Sequence, residues 1–290
     1  MGARLLAAVT LACIAAGCGQ GAAAAPAGPA AVTVTVTRDY GATTLSAGRE
    51  APGQSALNAL RRLAHVGTSY GGRFVESIGG LSGDRSAGYD WLYFVNGIAP
   101  DQGAADIELH PGDHEWWDRR YWRDLVQTPI AVGAWPEPFV HGFGGKAPPV
   151  SVTGPCSQQL AIALRSAGAA VTTRTSPYRV VVQTFGQAAA ALSPSLQQGR
   201  GLTVFLDGGR VMVYRGHGGS RPDPDARGLI VGFQPRGGTG SSAEVLVAGA
   251  DRSAACAAAH TLATDPAAVR LDYAVATDAA GHVVAEGGRP

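Results

Sequence analysis

The chain has 290 residues, and its 23 basic and 22 acidic side chains give a formal net charge of +1. A charge balance this even leaves no basic excess for binding nucleic acid or anionic lipid surfaces. The sequence therefore predicts no nucleic-acid partner, and its length is typical of two domains.

The N-terminus has the pattern of a bacterial lipoprotein signal peptide. Arg4 gives residues 1–17 a short basic start, and the apolar stretch that follows would, as a helix, cross only about two thirds of the ~30 Å hydrocarbon core of a bilayer. Residues 14–18 (Ile-Ala-Ala-Gly-Cys) resemble a lipobox, in which a cysteine thiol accepts the lipid. We therefore expect the signal peptide to be removed and Cys18 to be lipidated. The alternative is an ordinary signal peptide cleaved near residues 23–26, which would discard that cysteine.

Membrane attachment is expected to come from this lipid alone. Residues 18–30 are rich in Ala, Gly and Pro, cannot build a core, and are expected to form a flexible tether. No later apolar run in the sequence is long enough to span a bilayer. The folded part is therefore expected outside the cytoplasm, lipid-anchored to the cell membrane.

Residues 31–127 are predicted to form a domain of the α+β class with a β-grasp-like fold. Strict alternation of Val and Thr over residues 32–37 predicts a half-buried strand, and residues 42–45 return as its hairpin partner. Ser55 is a candidate N-cap for a helix whose leucines recur at helical spacing. Further strands follow, and the strongest, residues 91–95, ends at an Asn-Gly hairpin signal. A hairpin, one helix and more strands in this order outline a β-grasp-like domain.

Several stretches of this domain resemble the transcobalamin-like C-terminal domain, a family of bacterial modules similar to the smaller domain of animal cobalamin carriers. They are residues 54–60, 89–97 and 103–106, together with Gly112-Asp113 and Trp116. The resemblance covers about a third of the chain. It implies a ligand-binding module without catalysis, for which cobalamin is a candidate ligand and no cofactor is needed. The large helical domain of the animal carriers has no counterpart in this sequence.

Aromatic side chains with polar tips gather around the strands and glycine-rich turns of this domain, and they suit a broad, partly polar ligand. Trp116 and Trp117 are adjacent, so in a strand they face opposite sides, and one of them is expected to face outward. For each single ring the alternative is a place in the core. The predicted ligand-binding residues are Tyr70, Tyr89, Trp91, Tyr93, Asn96 and Trp117.

Residues 128–149 are predicted to be a semi-rigid connector. Their prolines prevent regular structure, and Trp135, Phe139 and Phe143 are too apolar for a flexible tether, so we expect these rings to pack on one domain or both. Residues 150–290 then alternate strands and helices, which predicts a second domain of the α/β or α+β class.

Besides the lipidated Cys18, two cysteines, Cys156 and Cys256, remain once the signal peptide is removed. In an oxidising compartment two lone cysteines most simply form a disulfide, which would join the first and last helices of the second domain. A metal site is not expected, because no histidine lies at a metal-like spacing from either cysteine. A nucleophilic thiol stays open as an alternative.

Motifs for catalysis are missing from the sequence. The Gly-His-Gly-Gly run at residues 216–219 lacks the lysine of a phosphate-binding loop, and there is no Gly-x-Ser-x-Gly elbow or His-Glu-x-x-His pair. An enzyme is therefore not expected, and a hydrolase with other catalytic residues is the weakest hypothesis. The leading one is a lipoprotein that captures a small, cobalamin-like ligand for uptake through a transporter partner. The alternative is a non-enzymatic protein-interaction or cell-surface scaffolding lipoprotein that uses an edge strand.

Overall fold

The structure is a computed structural model, and the residues that it describes are 30–72, 74–121, 130–191, 204–214, 219–235, 238–269 and 273–286. The predicted signal peptide, the lipidation site Cys18 and nearly all of the predicted tether lie outside the described residues. In the described part of the chain, no helix is both long enough and apolar enough to cross a membrane. Helices and several sheets are combined, which confirms the α+β class.

Residues 30–121, here called the grasp unit, are built on a four-stranded sheet. Its order is β2-β1-β7-β6, with β1 parallel to β7 and the other neighbours antiparallel. A central parallel pair flanked by antiparallel strands, with one helix packed on the sheet, is the predicted β-grasp-like arrangement. Strands β3, β4 and β5 form a separate small sheet. The described elements are β1 (Val32–Arg38), β2 (Thr43–Glu50), α1 (Ala56–Leu63), β3 (Val66–Ser69), β4 (Phe74–Ile78), β5 (Leu81–Ser82), β6 (Tyr89–Val95) and β7 (His114–Tyr121).

Local sequence explains the first strand and the helix of the grasp unit. Val32, Val34 and Val36 are fully buried on one face of β1, as the Val-Thr alternation predicts. Ser55 caps α1, because its side chain accepts a hydrogen bond from the backbone N–H of Asn58 at 3.3 Å. The valines of the strand and the leucines of the helix meet in one hydrophobic core.

Residues 150–286, here called the second unit, are built on a larger mixed sheet. Its order is β17-β16-β14-β15-β10-β8-β9, in which β15, β10, β8 and β9 run parallel and the other neighbours are antiparallel. Strands β11, β12 and β13 form a small separate sheet. The described elements are β8 (Val150–Thr153), α2 (Ser157–Ser166), β9 (Val171–Thr172), β10 (Tyr178–Thr184), α3 (Phe185–Ala191), β11 (Val204–Asp207), β12 (Arg210–Tyr214), β13 (Ser220–Pro222), β14 (Gly228–Phe233), β15 (Ala243–Gly249), α4 (Arg252–Thr264), β16 (Ala274–Thr277) and β17 (Val283–Glu286).

The predicted disulfide is present in the second unit. Helices α2 and α4 pack together against one face of the larger sheet. Cys156 directly precedes α2, Cys256 lies within α4, and their Cα atoms are 5.5 Å apart in the disulfide. The bond joins positions that are 100 residues apart in the sequence. A free nucleophilic thiol at either position is therefore ruled out in this state of the protein.

The described part of the connector, residues 130–149, packs as its apolar side chains predict. Trp135 and Phe139 are buried, with ring centroids 5.6 Å apart. The Phe139 ring meets the ring of Tyr178 edge-on at 6.2 Å, inside the core of the second unit. Phe143 is partly buried against the cores of both units. The connector therefore helps to hold the two units in contact.

Candidate ligand-binding groove

A cavity of about 310 Å³, here called the groove, lies where the four-stranded sheet, the small sheet and the loop after β6 meet. Its walls are largely apolar and aromatic. Trp91 and Tyr93 come from β6, Trp117 from β7 and Phe74 from β4, and the loop contributes residues between 99 and 104. Trp91, Tyr93 and Trp117 are all predicted ligand-binding residues, and the four-stranded sheet brings them to one site.

A stacked aromatic pair lies at the groove. Tyr93 and Trp117 are direct cross-strand neighbours, and their rings are 4.9 Å apart at an angle of 18°. The Tyr93 hydroxyl donates a hydrogen bond to the backbone carbonyl of Gln102 at 2.5 Å, which ties the loop to the sheet. Burial raises the pKa of this hydroxyl well above its ordinary value, so it stays protonated at neutral pH.

Both tryptophans of the groove are fixed through their indole N–H groups. Nε1 of Trp91 donates to the backbone carbonyl of Leu81 in β5 at 3.0 Å. Nε1 of Trp117 donates to Oε1 of Glu115 at 2.6 Å. Since both indole N–H groups are already satisfied inside the protein, these walls offer apolar surface to a ligand and not hydrogen-bond donors.

Glu115 is a fully buried carboxyl group next to this aromatic pair, and sequence reasoning missed it. Its Oε2 atom has no hydrogen-bond partner among the described residues. Burial raises the pKa of Glu115 to about 8, although the hydrogen bond from Trp117 opposes the shift. Residues two positions apart in a strand share a face, so the alternation of β7 was a signal that this glutamate faces inward with Trp117.

The expectation that either Trp116 or Trp117 faces outward is wrong. Each has only 2% of its surface exposed. They point to opposite faces of β7, but both faces of the sheet are covered. Trp116 stacks on Phe94 at 4.7 Å within a core shared with the second unit, whereas Trp117 lies in the core under α1. Trp117 therefore contributes a buried wall to the groove and not an exposed ring.

Asn96 is a structural residue, which corrects its prediction as a ligand-binding one. Its side chain is fully buried, and its amide nitrogen donates to Oδ1 of Asp113 at 2.7 Å and to the carbonyl of Gly142 at 2.9 Å. Its amide oxygen accepts the backbone N–H of His114 at 2.8 Å. The backbone φ of 51° is one that Asn tolerates better than most residues. Asn96 thus fixes the turn after β6 and joins it to the connector.

Tyr70 and Tyr89 lie apart from the groove. Tyr70 exposes 74% of its surface in the turn that follows β3. Tyr89, at the start of β6, packs edge-on against Tyr121 at 5.7 Å, and the guanidinium of Arg119 lies 4.9 Å from its ring centroid. Neither tyrosine lines the groove. The structure therefore brings together three of the six predicted ligand-binding residues.

Comparisons with known proteins give a family match within the grasp unit. Residues 53–119 match a family described as a domain of unknown function (DUF4430), which is a transcobalamin-like family. A solved structure of a candidate metal-binding protein from Ruminococcus gnavus ATCC 29149 is 18% identical, covers 32% of this chain and 97% of its own, and has a TM-score of 0.27. No curated protein matches.

Within the described residues, no group of three or more His, Cys, Asp or Glu could hold a metal ion. Over less than a quarter of its length, the chain is similar to a transcobalamin-like domain family.

Proposed function

We propose that the protein is an extracytoplasmic lipoprotein that binds a small ligand in the groove, without catalysis. The observation that carries this proposal is a cavity of about 310 Å³ walled by Trp91, Tyr93 and Trp117. Cavities of this size and above, with mostly aromatic walls and few polar groups, are typical of ligand pockets. The lipid on Cys18 would hold the groove close to the cell membrane, where a bound ligand can pass to a transporter.

The walls favour a ligand with a flat, largely apolar part. The partly exposed ring of Tyr93, backed by the buried ring of Trp117, can contact such a surface. Cobalamin is the sharpest candidate, because residues 53–119 match a transcobalamin-like family. A corrin ring is too large to enter a cavity of about 310 Å³ whole, so only one edge of a corrinoid would insert.

Filling the groove is expected to abolish most of the binding. Ala99 lines the cavity, and Ala99→Phe would place a ring inside it. We expect the dissociation constant for cobalamin, or for cobinamide, to rise by about ten-fold or more, which is about 1.4 kcal/mol. Ala87→Phe, in the exposed turn between β5 and β6, is the matched control and should bind as the wild type does. Isothermal titration calorimetry and thermal shift measure both.

Two results would contradict different parts of this proposal, the first the identity of the ligand and the second the position of its site. A ligand that binds the native state must stabilise it, so the absence of any thermal shift at millimolar cobalamin and cobinamide would remove the corrinoid version. Wild-type affinity in Ala99→Phe would show that a bound corrinoid lies elsewhere on the protein.

Membrane attachment is tested separately at the predicted lipidation site. We expect Cys18→Ala to appear in the medium or to remain as unprocessed precursor, because the lipid would have no thiol to attach to. Cys13→Ala, inside the predicted signal peptide, is the matched control and should leave membrane partitioning unchanged. Cell fractionation with detergent-phase partitioning measures the distribution. Unchanged partitioning of Cys18→Ala would contradict lipidation.

A further inference from the structure

The strands of the larger sheet in the second unit differ in how far their two faces are buried. On β14, β15 and β16 every residue is buried, as is usual for strands that are covered on both faces. On β10 burial alternates instead: Val180 and Val182 face the core under α2 and α4, while Arg179, Val181 and Gln183 form the opposite face. Parallel strands are usually covered on both faces, so polar side chains on this face of β10 are unusual and need an explanation.

Polar side chains lie side by side on this face because of the strand register. Ser151 of β8 and Glu244 of β15 are both in register with Arg179 of β10. Nε of Arg179 donates a hydrogen bond to the buried carboxylate of Glu244, which fixes the guanidinium in place. The Arg179 side chain still keeps 47% of its surface exposed. Its two terminal amino groups have no hydrogen-bond partner among the described residues.

These residues line a cavity of about 380 Å³, here called the sheet-face pocket. Thr153, Arg174 and Gln183 belong to the same lining, and no lining residue is aromatic. The amide nitrogen of Gln183 is buried and has no hydrogen-bond partner within the described residues. A buried donor without an acceptor is costly, and a bound polar ligand would relieve that cost.

We infer that the sheet-face pocket binds a small carboxylate that carries several hydroxyl groups, such as a sugar acid. Arg174 and Arg179 outnumber Glu244 by one positive charge, and the open edge of the Arg179 guanidinium offers two parallel N–H donors to a carboxylate. The hydroxyl of Thr153 both donates and accepts, as ligand hydroxyls do, and Gln183 supplies an amide donor. This chemistry is opposite to that of the aromatic groove, so the two sites select different ligands.

The test titrates D-glucuronate into the full chain, with D-glucose as a neutral probe of nearly the same shape. We expect glucuronate to bind with a dissociation constant of about 1 mM or lower, and glucose about ten-fold more weakly or worse. Arg179→Met should weaken glucuronate binding by about ten-fold or more. Arg165→Met, which removes an exposed arginine of α2 outside the pocket, is the matched control and should bind as the wild type does.

Two further variants keep the test decisive if Arg179→Met does not fold, which circular dichroism would show. Arg179→Lys keeps the charge but loses the planar fork, and Thr153→Val loses one exposed hydroxyl, so both should weaken glucuronate binding. The inference is overturned if glucuronate binds no better than glucose, or if the Arg179 and Thr153 variants bind it as the wild type does. Ala99→Phe should leave glucuronate binding intact, so failure at this pocket is distinct from failure at the groove.

Discussion

Replacing Arg120 with methionine is expected to lower the free energy of unfolding by about 3–5 kcal/mol. Arg120 is fully buried, and its Nε donates to Oδ2 of Asp118 at 2.9 Å. The same carboxylate accepts the backbone N–H groups of Tyr40 and Gly41, each at 3.0 Å. Without Arg120, the buried carboxylate of Asp118 would lose the cation that it contacts, and this is the costly change.

The same substitution is expected to loosen the contact between the two units. The guanidinium carbon of Arg120 lies 4.4 to 5.0 Å from the centroids of several aromatic rings. Tyr40, Phe94 and Trp116 belong to the grasp unit, whereas Tyr273 belongs to the second unit. Cation–π attraction on both sides of the boundary therefore holds the units together through one side chain.

Urea denaturation, monitored both by tryptophan fluorescence and by circular dichroism, measures the loss of stability and the loosened contact between the units. Loosened units should give transitions that no longer coincide between the two probes. Arg38→Met is the matched control, because Arg38 is about half exposed and its ion pair with Asp39 spans 3.8 Å at the surface. An exposed pair of this kind contributes about 1 kcal/mol or less. Equal losses for the two variants would contradict the large cost expected from removing Arg120 beside the buried Asp118.

The second large expected effect is a loss of stability at alkaline pH that originates at Glu115. Burial raises the pKa of Glu115 from 4.5 to about 8, so the folded protein holds this proton more tightly than the unfolded chain does. The stabilisation from the proton is complete below pH 4.5 and is lost as the pH rises through about 8. A shift of this size corresponds to about 4–5 kcal/mol.

Glu115→Gln removes this titration and keeps an oxygen that can accept the indole N–H of Trp117. Between about pH 5 and about pH 9, wild type should lose stability relative to this variant, as measured by urea denaturation. The difference between the two proteins cancels the effect of His114, whose pKa is lowered by burial. Glu108→Gln, on the exposed loop before β7, is the control and should follow wild type. A difference between wild type and Glu115→Gln that does not change with pH would contradict the assignment.

Much of the grasp unit could be predicted because its signals are local. The alternation of Val and Thr in β1 depends only on neighbouring residues, and so does the capping of α1 by Ser55. The groove residues Trp91 and Tyr93 were found for the same reason, since large aromatic side chains in a strong strand are visible without any tertiary information.

The features that could not be predicted depend on contacts between residues that are distant in the chain. Trp116 is buried because the second unit covers its face of the sheet, and Asn96 is engaged partly by the carbonyl of Gly142 in the connector. The row of polar side chains around Arg179 forms only when β8, β10 and β15 pair in parallel. Parallel pairing joins distant segments and leaves no turn signature between them, so the sheet-face pocket has no local signal in the sequence.

The disulfide between Cys156 and Cys256 also determines what happens to the second unit when its backbone is cleaved. It encloses residues 157–255, which contain β10, β15 and the small sheet of β11, β12 and β13. A peptide bond broken anywhere inside that span leaves both pieces covalently joined next to α2 and α4. A single proteolytic cut within residues 157–255 would therefore not let either flanking part of the molecule diffuse away.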